Sequence, residues 1–125
     1  MKTWVIPLIG LGLITIGSLL PGDQIPISHW SEVSFMDKIV HFMAYCIIAI
    51  AFGWANKFHK LLTSNAHWWF LLVLLAVYSI TIEILQGVFF EDRYFEVLDI
   101  IANIIGLLTG YLLTVKFLKN RTHAA

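Results

Sequence analysis

Four long apolar runs, at 4–20, 39–55, 67–90 and 98–117, take up most of the chain, and short polar stretches separate them. A helix rising about 1.5 Å per residue needs about 17–25 residues to cross a hydrocarbon core of about 30 Å, and each run meets that length. Membrane strands are shorter and alternate polar with apolar residues, which none of the runs does. A soluble helix bundle is excluded as well, because the runs leave no polar face to meet water. The pattern predicts an all-α integral membrane four-helix bundle, a single domain over residues 1–125. Lys2 precedes the first run as in a signal peptide. That run is long for one, however, and ends in Leu-Leu-Pro-Gly-Asp without a small-residue cleavage site, so a retained helix is expected.

Composition agrees, with 59% hydrophobic residues and a mean hydropathy of +0.83, where a soluble domain has about 45–50% apolar residues. The net charge of zero matters less than where the charges fall. Lys2, Lys57, Lys60, Lys116, Lys119 and Arg121 lie at the two termini and in the turn after the second run, whereas only Lys38 and Arg93 lie on the other side. The positive-inside rule then predicts cytoplasmic termini and a multi-pass chain. Acidic residues show the opposite bias: Asp23, Glu32, Asp37, Glu91, Asp92, Glu96 and Asp99 all fall on the outer side. Trp30, Phe89, Phe90, Tyr94 and Phe95 mark the outer interface, and Trp4, Trp54, Trp68 and Trp69 the inner one. No basic stripe suggests nucleic acid, and the single cysteine, Cys46, allows no internal disulfide.

The chemical information lies in the polar exceptions. Asp37, His41 and Tyr45 share one face of the second helix, Ser79, Glu83 and Gln86 one face of the third, and Asp99, Asn103, Gly106 and Gly110 one face of the fourth. Counting down from the outer ends places His41, Asn103 and Glu83 in one layer, with Asp37, Gln86, Arg93 and Asp99 above it. A carboxylate inside a span costs about 2.5–3.5 kcal/mol, so Glu83 is expected to face the bundle interior or a wet cavity.

Bland uses compete with functional ones at each position. Asp37 and Asp99 begin helices, where carboxylates cap amides and meet the positive dipole end. Asn103, Gln86 and His41 serve equally well as interhelical hydrogen-bond glue, Glu83 as half of a buried ion pair, and Tyr45 and Ser79 as packing. Gly106-x-x-x-Gly110 fits close helix contact, within the bundle or in a homodimer. No metalloprotease, serine-hydrolase or phosphate-loop motif occurs. Asp37, His41, Glu83 and Asp99 offer a loose set of metal ligands, without identifying a metal or any other cofactor.

Asp37-Lys38-x-x-His41-Phe42-x-x-Tyr45, Glu83-x-x-Gln86, Arg93 and Asp99-x-x-x-Asn103-x-x-Gly106-x-x-x-Gly110 together resemble the VanZ-like family of small bacterial membrane proteins. The resemblance covers nearly the whole chain. One departure is the segment Gly-Val-Phe-Phe-Glu-Asp before Arg93, where the family often carries a proline. The resemblance implies a protein of the bacterial inner membrane and cell envelope, and an effect on susceptibility to glycopeptide antibiotics such as teicoplanin. It marks Asp37, His41, Glu83, Gln86, Arg93, Asp99 and Asn103 as signature positions.

Two classes of function fit these residues. In the first, an outward-facing polar pocket binds an amphiphile, a lipid-linked envelope precursor or a lipoglycopeptide, through Asp37, Lys38, Tyr45, Gln86, Arg93, Asp99 and Asn103. In the second, a small intramembrane hydrolase or transferase acts on a lipid headgroup, with Glu83 and His41 as its acid–base or metal-ligand pair.

Overall fold

The computed structural model describes residues 2–20, 34–59, 64–90 and 95–122, and these are helical with short caps and turns. A 3-10 turn, Lys2–Trp4, leads into α1, Val5–Ser18; α2 is Ser34–His59, α3 Asn65–Phe89 and α4 Val97–Thr122. Pro7 sits in the first turn of α1, where its missing N–H leaves no bond unmade. The Ser64 hydroxyl accepts the His67 N–H at 3.3 Å and caps the start of α3. At the far end of α3 the Phe90 N–H reaches the Gln86 carbonyl at 3.2 Å and closes the last turn.

Three helices, α2 to α4, are long and apolar enough to cross a membrane. α1 is shorter than its apolar run suggests: its 14 residues extend about 21 Å, short of the hydrocarbon thickness. The others extend about 38 Å and outrun the apolar core, because polar residues at a span's end continue the helix into the interface. α2 therefore begins at Ser34, before its apolar run, and takes Asp37 and Lys38 into its first turns. Phe70, Val88, Leu13, Leu112 and Phe117 are more than half exposed on the outside of the bundle. Soluble monomers do not expose such a continuous apolar surface, whereas acyl chains cover it at no cost.

Contacts between named residues give the arrangement. Trp4 at the start of α1 packs tilted against Phe52 in the second half of α2, at 5.6 Å between ring centroids, and Gly10 lies against Ile48, so the two helices are antiparallel. The end of α1 meets the end of α3, where the Gln86 amide donates to the Ser18 carbonyl at 2.8 Å. Midway, the Tyr78 hydroxyl donates to the Leu11 carbonyl at 3.1 Å and also touches Thr15 Oγ1.

α2 and α4 run parallel and pack most closely of all. A Cβ on Gly106 would collide with the Phe42 carbonyl oxygen, and one on Gly110 with the Cys46 carbonyl oxygen. Gly53 repays this from the other side, since a Cβ there would strike Thr114. Small residues thus let two backbones meet, as membrane helices require when no hydrophobic force drives them together. The glycine pair is covered by α2 of the same chain, the intrachain use of that spacing. Below the seam, Tyr45, Ile48, Phe52, Leu72, Leu75 and Leu107 form the apolar core.

Candidate functional site

The close seam carries the starts of α2 and α4 side by side, with the end of α3 beside them. Parallel helices bring two positive dipole ends together, and each carries a carboxylate in its first turn, Asp37 on α2 and Asp99 on α4. One turn further in, His41 of α2 faces Asn103 of α4, with Nδ1 3.1 Å from Oδ1. The same Nδ1 lies 3.5 Å from Glu83 Oε1 on α3, and Nε2 on the opposite ring edge lies 3.9 Å from Asp37 Oδ1. His41, Asn103 and Glu83 therefore share one layer, drawn from three helices.

Two features fix the imidazole. The Nδ1 edge is held between Asn103 Oδ1 and Glu83 Oε1, and the Nε2 edge is turned toward Asp37. Glu83 and Asn103 are each 1% exposed, which holds the inner wall of the cluster in place. The Asn103 Nδ2 amide has no hydrogen-bond partner among the described residues.

Above this layer Lys38 crosses from α2 to α4. Its ammonium lies 2.6 Å from Glu96 Oε2 and 3.3 Å from Asp99 Oδ1. Asp99 is 4% exposed, and the geometry at its Oδ1 falls short of a hydrogen bond. The described cluster thus holds four carboxylates, Asp37, Glu83, Glu96 and Asp99, with one ammonium.

The remaining expected residues go elsewhere. Tyr45 lies one turn below His41 in the apolar core, and Ser79 donates to the Ala76 carbonyl at 2.9 Å within its own helix. Gln86 is buried, but its amide points to α1 and satisfies Ser18, one of the carbonyls that a helix end leaves without an intrahelical partner. Arg93, with Glu91 and Asp92, lies outside the described residues, as do Asp23, Trp30 and Glu32. Glu96, expected only to lie on the outer side, is the closer partner of Lys38. The signal was present, since Glu96 and Asp99 are three residues apart at the start of a helix parallel to the one bearing Lys38.

An open groove of about 330 Å³ runs along the end of α3, lined by Ile84, Gly87, Val88 and Phe95. Its walls are apolar apart from backbone. It alternates along α3 with the inward-facing Glu83 and Gln86, and on the α4 side it ends at Phe95, next to Glu96.

Chemically, the layer offers an imidazole, carboxylates at two depths, an amide donor and an ammonium. These groups can bind a polar headgroup, hold a cation or move a proton. Comparison with known proteins narrows the family and not the chemistry. The family model VanZ/LLP1 matches residues 7–119, which include every residue of the cluster. Curated proteins and solved structures give no match.

Proposed function

The chain belongs to the VanZ/LLP1 family and is a VanZ-like membrane protein, and from that premise we propose that its polar cluster receives the headgroup of an amphiphile. The amphiphile is a lipid-linked envelope precursor or a lipoglycopeptide, and capturing it changes susceptibility to glycopeptides such as teicoplanin. The chain sits, as one domain, in the cytoplasmic membrane of a bacterium. Both termini are cytoplasmic, given the lysines and arginine that flank the runs on that side. The cluster then opens toward the extracytoplasmic leaflet, where such precursors and drugs are met.

One observation carries this reading: a buried polar layer and an open apolar groove lie toward the same end of α3. An amphiphile needs both, a polar socket for its head and an apolar surface for its chain. Lys38 and Arg93 are the groups suited to anionic oxygens, and Asp37, Asp99 and Asn103 to hydroxyl and amide groups. Native mass spectrometry of gently extracted chain tests the reading. A retained lipid or added lipoglycopeptide supports it, provided the signal falls in Phe95→Asp, which puts a charge in the groove. A chain that carries neither, or that carries the same mass in both forms, would falsify it.

The 3.5 Å approach of His41 Nδ1 to Glu83 Oε1 favours a second reading, a headgroup hydrolase or transferase in which this pair moves a proton. Purified chain incubated with headgroup-labelled lipid distinguishes the two. Turnover abolished by Glu83→Gln, with the protein still monodisperse, selects the enzyme; no turnover removes it.

A further inference from the structure

Asp37 on α2 and Asp99 on α4 stand in the first turns of two parallel helices, with His41 one turn below and Lys38 3.3 Å from the nearly sealed Asp99. Two carboxylates brought together, one of them buried, favour a cation between them. Within the cluster, one atom each from Asp37, His41 and Asp99 lie within 4.8 Å of one another, and these are atoms that ligate metals.

We propose that Asp37, His41 and Asp99 bind one divalent transition-metal ion. Asp37 and Asp99 supply carboxylate oxygens, and His41 supplies Nε2. Three observations beyond the clustering of acids support this. First, Nδ1 of His41 is held by the Asn103 amide oxygen at 3.1 Å, with Glu83 beside it at 3.5 Å. That is the outer contact a metal-bound imidazole ordinarily has, and it turns the other nitrogen toward the two aspartates. Second, Asp99 is nearly fully buried, yet its Oδ1 takes no hydrogen bond. Third, the Asn103 Nδ2 donor is buried without a partner among the described residues, one turn below Asp99.

Distances decide which part must move. Ligand atoms about 2.0–2.2 Å from a tetrahedral ion lie about 3.3–3.6 Å apart. The His41 to Asp37 separation of 3.9 Å is a few tenths wide, and the widest separation, 4.8 Å, is about an ångström wide. Asp37 supplies the adjustment, because its side chain is 50% exposed in the first turn of α2 and can turn inward without disturbing the packing. One nitrogen with two carboxylates suits zinc or manganese better than calcium or magnesium, which take oxygen ligands alone. Lys38 lies closer to Glu96, at 2.6 Å, than to Asp99 Oδ1, at 3.3 Å, so an ion on Asp99 would leave the ammonium with Glu96.

The inference does not rest on the amphiphile reading, since metal and lipid are counted separately. The test uses untagged full-length chain in detergent, stripped with chelator, loaded with zinc or manganese, desalted and measured by elemental analysis. Wild type is expected to hold close to one ion per chain. Asn103→Ala, which removes only the outer support of His41, should weaken binding about 10–100-fold. Asp37→Asn/His41→Gln should hold none, and Asp37, being exposed, is unlike a core position whose loss prevents folding. Thr81→Ala, on the exposed face of α3, should bind as wild type does. Wild type that elutes without either metal overturns the proposal, and so does a monodisperse double variant that keeps the wild-type amount.

Discussion

His41 of α2 and Asn103 of α4 are joined at 3.1 Å across the tightest seam of the bundle, and that one contact holds the imidazole with Nε2 toward Asp37. Asn103→Ala removes the acceptor and frees the ring to turn. A membrane interhelical hydrogen bond contributes about 0.6–2 kcal/mol, so the unfolding midpoint in mixed detergent should fall correspondingly. If Asn103→Ala unfolds at the wild-type midpoint, the bond does not hold the seam.

Lys38→Met should be more damaging than its position near the end of a helix suggests. Asp99 is 4% exposed and faces the Lys38 ammonium at 3.3 Å, and the variant leaves its charge without that cation. Breaking one side of a buried pair costs about 3–5 kcal/mol. Lys38→Met/Asp99→Asn should regain much of the loss, which a double-mutant cycle on unfolding free energies measures. Equal losses in the single and double variants would mean that the two side chains do not interact.

Glycines divide into two groups. Gly106→Ala and Gly110→Ala each place a methyl on a carbonyl oxygen of α2, so the helices must separate, at about 1–3 kcal/mol or more. Gly12 and Gly17 of α1 have nothing within 4 Å of an added Cβ. Alanine there should be neutral or stabilising by up to about 1 kcal/mol, since it favours the helix. Thermal scans of the four variants in one detergent would show the split, and a destabilised Gly12→Ala would count against the packing described.

Gln86→Leu should loosen α1 without dispersing the bundle. The amide donates to the Ser18 carbonyl at 2.8 Å, the last residue of that helix, so its loss leaves the helix end without that partner. Faster hydrogen exchange over the last turn of α1, with α2 to α4 unchanged, is the expected outcome; uniform exchange along the chain would assign Gln86 some other part.

The spacing of polar residues made much of this site legible. Helical period alone put Asp37 and His41 on one face, and Asp99 and Asn103 on another, and counting from the helix starts set His41, Asn103 and Glu83 at one depth. Spacing could not give direction beyond the helix. Gln86 shares the stripe of Glu83 yet turns to α1, because the end of a short helix needs a donor there. Tyr45 continues the stripe of His41 but lies where the neighbouring helices have become apolar. The short α1 was hidden for a related reason, since hydropathy records how apolar a segment is and not how far it stays helical.

The partners at the seam are 62 residues apart in the chain, with a whole span between them. As the chain is made, α2 emerges long before α4 exists, so Lys38 and His41 enter the bilayer without their counterparts. The cluster is therefore the last thing the chain completes. A chain halted before Val97 would keep three of its four helices and yet expose an ammonium and an imidazole to lipid, a polar blemish that quality control in the membrane can recognise.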